Sequence, residues 1–346
     1  MAKTTLDPSS TIRKILVVHL RPLGDVLLTS AYLPALRQRF PDAHIDFLVY
    51  KPWDRLLYKN PYLSNILAAE KGRGASYLFH RLKLFALVFS RRYDLIIDSN
   101  NTTTSAQIVA FSGARYRLGN EQGKGRPFYN LLAKDGTERY NAAKRFDTLK
   151  PLGISEGPID LRFYISEDAK NFIHNWIEQQ GLQDRDIGLF SPGASFWSKA
   201  WKSEYFAEFA NTIAQRTDLV PVIIWGPGEE SYVQAMTDAM TTNAYVLPPT
   251  TIDQAAAMLQ VSRFLFCNDG GLNHLAVATK TPTLTFFGVI SPQSWSAQDY
   301  VPTHFHMFNP HWDWRQDDPR NHGYTPVEAF QRFKSIAGKF GIDVYE

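Results

Sequence analysis

One cysteine, Cys267, occurs in 346 residues. A lone thiol excludes an internal disulfide framework and any multi-cysteine metal site, and it fits a reducing compartment. No apolar run approaches the roughly 18 residues that cross a bilayer, and the opening MAKTTLDPSSTIRK has no apolar stretch of signal-peptide length. The expectation is a soluble, cytoplasmic protein, or one that lies at most on a membrane surface. GxGxxG and GxxxxGK[ST] are both missing, which removes the fingerprints of dinucleotide and P-loop binding. The nine histidines show no HExxH or comparable ligand spacing. Internal repeats and low-complexity segments are absent as well.

What is present looks globular: 44% hydrophobic and 21% charged residues, in a length that suits two domains. The net charge of +3 hides an asymmetry. Residues 1–165 hold 25 Lys and Arg against 14 Asp and Glu, a balance of +11, which leaves −8 for residues 166–346. Such a split either complements one half with the other or turns the first half toward something anionic. Nucleic acid is disfavoured as that partner, because the basic residues are spread out with no reader motif.

Strand-like apolar runs alternate with helical patterns, which predicts parallel α/β sheets. The first series is ILVVHL (15–20), IDFLVY (45–50) and DLIID (94–98), with a helix expected over 26–40. The second is DIGLFS (186–191), LVPVIIWG (219–226), RFLFCND (263–269) and TPTLTFFG (281–288), with helices over 203–216 and 251–260 between strands. Two series predict two Rossmann-like domains facing each other across a cleft, 1–165 and 166–325, with turn-rich sequence around 153–168 between them. A helical tail, 326–346, either caps its own domain or crosses back to the first.

Ligands bind such sheets at the carboxyl ends of the strands. There, HLRPLGDVLLTSAYLPAL (19–36) turns from strand to helix through Arg21, Gly24 and Asp25. Gly24 permits a tight turn or a close ligand approach. Asp25 reads equally as a helix N-cap or as a catalytic carboxylate. In FCNDGGLNHLAVAT (266–279), Asp269, Gly270 and Gly271 lead into a helix. Its exposed N–H groups and dipole would cradle a diphosphate, and His274 would donate to the same anion. The plain alternative is a Gly-Gly turn with a surface histidine.

Two more loops share that edge. SPGASFWSKAWKSEYF (191–206) brings Ser191 and Ser195 together with Lys199 and Lys202, the two lysines being cations suited to a departing diphosphate. WGPGEESY (225–232) brings Glu229 and Glu230, which would accept from ribose hydroxyls or simply favour a helix start. Anion cradle, cations and ribose acceptor together describe a nucleotide site. Asp184-Arg185-Asp186 has the Asp-x-Asp spacing that nucleotide-sugar enzymes use for a metal, but it precedes its strand and reads as a solvated turn. No metal or cofactor is expected. Finally, SYLFHRLKLFALVFSRRYD (76–94) is an apolar helix carrying basic residues, suited either to packing on its own sheet or to resting on an anionic membrane surface.

These motifs together resemble glycosyltransferase family 9, the heptosyltransferases of lipopolysaccharide core synthesis. The resemblance runs from about residue 14 to 290 and rests on ILVVHLRPLGDVLLT, DLIIDSNNTTTSA (94–106), SKAW (198–201), WGPGEE (225–230) and DGGLNHLAVATKTPTLTFFG (269–288). It implies a GT-B fold whose last helix returns to the first domain. It also implies inverting, metal-independent transfer from ADP-heptose to an anionic glycolipid, the lipid A-core, at the inner face of the inner membrane. Asp25 matches the family's base, Lys199 a lysine near the donor diphosphate, and Asp269, Gly271 and His274 the donor motif. Ser191, Lys202, Glu229 and Gly270 join the donor side; Arg21, Gly24, Asn100 and Asn101 are assigned to the acceptor. Gly270 stands where the family usually has Ser or Thr, Thr104 where many relatives have a basic residue, and the region after 290 lacks the cysteines common there. The alternatives are a member with another donor or acceptor, and a non-catalytic nucleotide or saccharide binder.

Overall fold

The computed structural model describes residues 5–7, 9–72 and 74–346. The chain divides into two compact units, Met1–Tyr164 and Ile165–Glu346. In the first unit the strands are β1 (Lys14–Val18), β2 (His44–Tyr50), β3 (Asn65–Ala69), β4 (Leu95–Asp98), β5 (Tyr116–Asn120) and β6 (Leu131–Ala133). Its helices are α1 (Leu23–Ser30), α2 (Leu33–Arg39), α3 (Gly74–Arg91), α4 (Thr103–Phe111) and α5 (Asn141–Lys144). In the second unit, α6 (Glu167–Gln179) leads into β7 (Ile187–Ser191), α7 (Ser203–Arg216), β8 (Val220–Ile223) and α8 (Glu230–Ala239). Then follow β9 (Tyr245–Val246), α9 (Ile252–Val261), β10 (Phe264–Asn268), α10 (Gly271–Thr279), β11 (Thr283–Phe286), β12 (His304–Met307) and α11 (Pro326–Ala337).

Both sheets are parallel throughout and share one topology. The orders are β3-β2-β1-β4-β5-β6 and β9-β8-β7-β10-β11-β12, each the doubly wound Rossmann arrangement. Central strands are covered on both faces, so β1, β4, β7 and β10 are nearly continuous apolar runs. Around β10 and β7 the second core is aromatic: Phe190, Phe209, Phe264 and Phe266 pack with Trp201 and Phe286.

One sequence reading changes. The helix expected over 26–40 is broken at Ala31–Tyr32, because Pro34 in the second position of α2 has no N–H to give to the turn before it. The tail helix α11 buries Phe330, Phe333 and Ile336 in the core of the second unit, with Phe333 edge-on to Phe264 and Phe266. A Thr325–Glu328 capping box starts it. Among the described residues, no helix is long and apolar enough to cross a membrane.

Candidate functional site

In the first unit the chain leaves β1 through His19 and Leu20, and Pro22 caps α1 without a side-chain bond. Asp25 is therefore the third residue of the helix and not its cap, a first-turn position where an acid also favours the helix start. Gly24 lies within α1 and is not among the positive-φ glycines, so the left-handed turn open to a glycine is not used. Arg145, which follows α5, donates from Nη2 to Asp25 Oδ1 at 2.6 Å. Each side chain is about one-fifth exposed. Among the described residues this is the only hydrogen bond to Asp25, so Oδ2 is unengaged. One oxygen is anchored by Arg145 and the other has no protein partner among the described residues.

Behind that pair lies His19, fully buried, with Nδ1 3.2 Å from the Ser99 carbonyl. A carbonyl only accepts, so Nδ1 carries the hydrogen and Nε2 is a bare acceptor without a partner. Burial pushes the imidazole well below its ordinary pKa, and the Arg145 charge adds to this. Arg21 is exposed at the same loop. Burial also lowers Arg145 from its ordinary value, against the pull of Asp25. Two guanidinium groups and a neutral histidine thus surround the single acid of this loop.

Asn100 and Asn101 hold the neighbouring loop together. Asn100 is 5% exposed; its Oδ1 accepts from the Leu20 N–H and its Nδ2 donates to Thr102. Asn101, in the left-handed region at φ 52°, accepts from the Asn120 N–H. Both backbone N–H groups converge on Asp98. A saccharide contact through the Asn100 side chain would have to break bonds that fix the β1 and β4 loops to each other.

In the second unit, three loops meet at the carboxyl edge of the sheet. Gly270 is the N-cap of α10, extended at φ −177° with no side-chain bond, so the first-turn N–H groups of Gly271, Leu272 and Asn273 point outward from the positive helix end. Lys199 Nζ lies 2.7 Å from Asp269 Oδ2, which ties the SKAW turn to the start of that helix. Asn268 strengthens the tie, accepting from the Trp201 N–H and donating to the Pro192 and Gly193 carbonyls. Glu229 caps the turn before α8, takes the Gly226 N–H at 2.9 Å, and fills the space over Gly193, where a Cβ would meet its carboxylate at 2.4 Å. Burial raises its pKa from the ordinary value. Ser191 closes β7 and is buried.

Other assignments shift. Lys202 lies 3.5 Å from Asp318, so part of its charge is answered within the protein. His274 is no surface histidine: it is 2% exposed, its ring 6.0 Å from Trp295. That tryptophan also lies 6.0 Å from Lys199 Nζ, an aromatic wall that sequence reasoning missed. Asp186 sits at the amino end of β7, the opposite edge, 3.9 Å from Arg263. Among the described residues no group of three or more His, Cys, Asp or Glu is placed to hold a metal ion.

A positive helix start beside a lysine, an acid and an aromatic has the chemistry to receive an anion such as a nucleoside diphosphate. Residues 81–311 match the family model described as glycosyltransferase family 9 (heptosyltransferase). The chain is 25% identical over 286 residues to lipopolysaccharide heptosyltransferase 3 of Escherichia coli K12, covering 79% of this chain and 81% of that protein. Among solved structures, the family 9 glycosyl transferase of Veillonella parvula superposes with a TM-score of 0.83 at 18% identity, over 94% of this chain and 97% of that one. The E. coli protein titled ADP-heptose lps heptosyltransferase II does so at 0.75 and 21%, over 94% and 99%. The chain belongs to glycosyltransferase family 9, the heptosyltransferase family, and is a glycosyltransferase.

Proposed function

We propose that the protein transfers a heptose from ADP-heptose to the anionic inner core of lipopolysaccharide, in one displacement with inversion and without a metal. The observation that carries this is Asp25: a carboxylate at the ligand-binding edge of its sheet, held by Arg145 through one oxygen while the other is unengaged. In the proposed step the acceptor oxygen attacks the anomeric carbon and Oδ2 takes its proton, a contribution of about 10²–10⁴-fold. The bond from that carbon to the β-phosphate oxygen breaks, and ADP leaves with the electron pair. The α10 N-terminus and Lys199 would meet its charge, doing electrostatically what a divalent cation does elsewhere. Glu229 is the proposed ribose acceptor. Arg21, exposed beside the acid, suits an acceptor phosphate or carboxylate. A setting in the cytoplasm, at the inner face of the inner membrane, follows from that acceptor.

Support comes from family membership and from the names of relatives that act on lipopolysaccharide. Product analysis tests it: ADP-heptose and a heptose-deficient glycolipid should give a heptosylated product of inverted anomeric configuration, at a rate a chelator leaves unchanged. Release of UDP or GDP from other donors at higher kcat/KM would transfer the reading to another nucleotide sugar. Binding of ADP with no product from any donor would make the protein a binder.

A further inference from the structure

We propose that the outward face of α3 lies in the headgroup layer of an anionic lipid bilayer. An α-helix on a sheet normally turns its apolar stripe inward. This one has apolar side chains on both faces. Val88 is buried and Leu84 and Phe85 pack on the core, yet Leu78, Phe79, Leu82 and Phe89 are 60, 64, 57 and 62% exposed. At 100° per residue these four fall within about a 100° arc that begins about 80° around the helix from Val88. Phe111 of α4, 61% exposed, extends the patch, with its ring 5.2 Å from Phe85. A half-open groove of about 640 Å³ runs along the helix, lined by Leu84 and Leu87 with Tyr50, Ala69 and Ile108 and by the polar Arg81 and Lys83.

Charge selects the occupant. From Lys71 to Arg92 the sequence holds six Lys and Arg and no acidic residue. Lys83 and Arg92 are exposed, and Glu70, just before, is engaged by Lys51 at 3.1 Å. An apolar face flanked by cations is the pattern of a helix lying in an anionic interface. A second copy meeting this face through the same patch would set cation against cation. No described helix is long and apolar enough to span, so the geometry points to a helix lying in the plane.

The inference goes beyond the transfer reading and is read out with neither donor nor acceptor, so its failure leaves that reading standing. The test is co-sedimentation of the full chain with phosphatidylcholine vesicles, with and without 30% phosphatidylglycerol. Binding is expected on the anionic vesicles only, with at least a tenfold loss of partitioning in Leu78→Ser/Phe79→Ser/Leu82→Ser and also in Lys83→Glu/Arg92→Glu. The second variant leaves the apolar face intact and keeps the test valid should the first fail to fold, as judged by circular dichroism. Absence of wild-type binding to anionic vesicles, equal binding of wild type and the charge variant, or vesicle-independent self-association lost in either variant would overturn the proposal.

Discussion

Lys199 lies 2.7 Å from Asp269 at the mouth of the proposed diphosphate cradle, with the lysine side chain 22% and the aspartate 5% exposed. Two roles are separable: Lys199 either meets the nucleotide or only neutralises the acid. Lys199→Met removes a charged hydrogen bond worth about 1.5–3 kcal/mol and leaves a buried carboxylate unpaired. The expected loss of ADP affinity is roughly 10- to 100-fold, read by isothermal titration calorimetry. Stability should fall by about 1–3 kcal/mol, less than for a wholly buried pair, because Asp269 also faces the positive end of α10. The double variant Lys199→Met/Asp269→Asn decides between the roles. Removing the acid should restore stability while ADP affinity stays at least about tenfold below wild type. Full recovery of ADP affinity in the double variant would show that the lysine serves only its aspartate.

Other outcomes follow from the same geometry. Arg145→Met should lower kcat about 10- to 100-fold with the ADP dissociation constant unchanged, because it frees the Asp25 carboxylate without touching the donor unit. An equal loss of ADP affinity would count against that division. Gly270→Ser should fold and gain a few tenths of a kcal/mol, since its backbone is extended and an added Cβ meets nothing closer than 4.0 Å, whereas Gly288→Ala would set a methyl 2.1 Å from the His322 ring and should cost about 1–3 kcal/mol in a thermal melt. Burial pushes His304 and His322 down to about 3 and His306 to about 4. These folded values lie below the ordinary 6.5, so below that pH the unfolded chain binds more protons. Stability should then be full above pH 6.5 and fall by up to about 1.4 kcal/mol per unit for each histidine toward pH 4. Uptake of less than one proton on unfolding at pH 5 would contradict it.

How much of this was legible follows from burial. The strands read from sequence, β1, β2, β4, β7, β8, β10 and β11, are buried apolar runs. Those not read are short, lie at an edge or open on polar residues. β3 and β12 are edge strands, β5 is YRLGN with a polar start, β6 has three residues and β9 two. Such strands carry too few apolar residues to set a period. The site divides the same way. Loops at strand ends announce themselves through glycines and acids beside apolar runs, which is how Asp25, Lys199 and Asp269 were singled out as candidates. Their partners gave no local signal. Arg145 is 120 residues from Asp25, at the start of a 3-10 helix without a clear apolar period, and Trp295 follows a Pro-Ser stretch read only as lacking cysteines. The one clue that was present is His19, inside the HLRPLGD motif but read there as the end of a strand.

The central claim concerns one oxygen atom, Oδ2 of Asp25, as proton acceptor. Asp25→Asn keeps the shape and the Arg145 contact to Oδ1 while removing the basicity. Turnover of ADP-heptose with a glycolipid acceptor, measured beside ADP binding on the same preparation, should fall at least about 100-fold with the dissociation constant within twofold of wild type. Normal turnover in that variant would contradict the account.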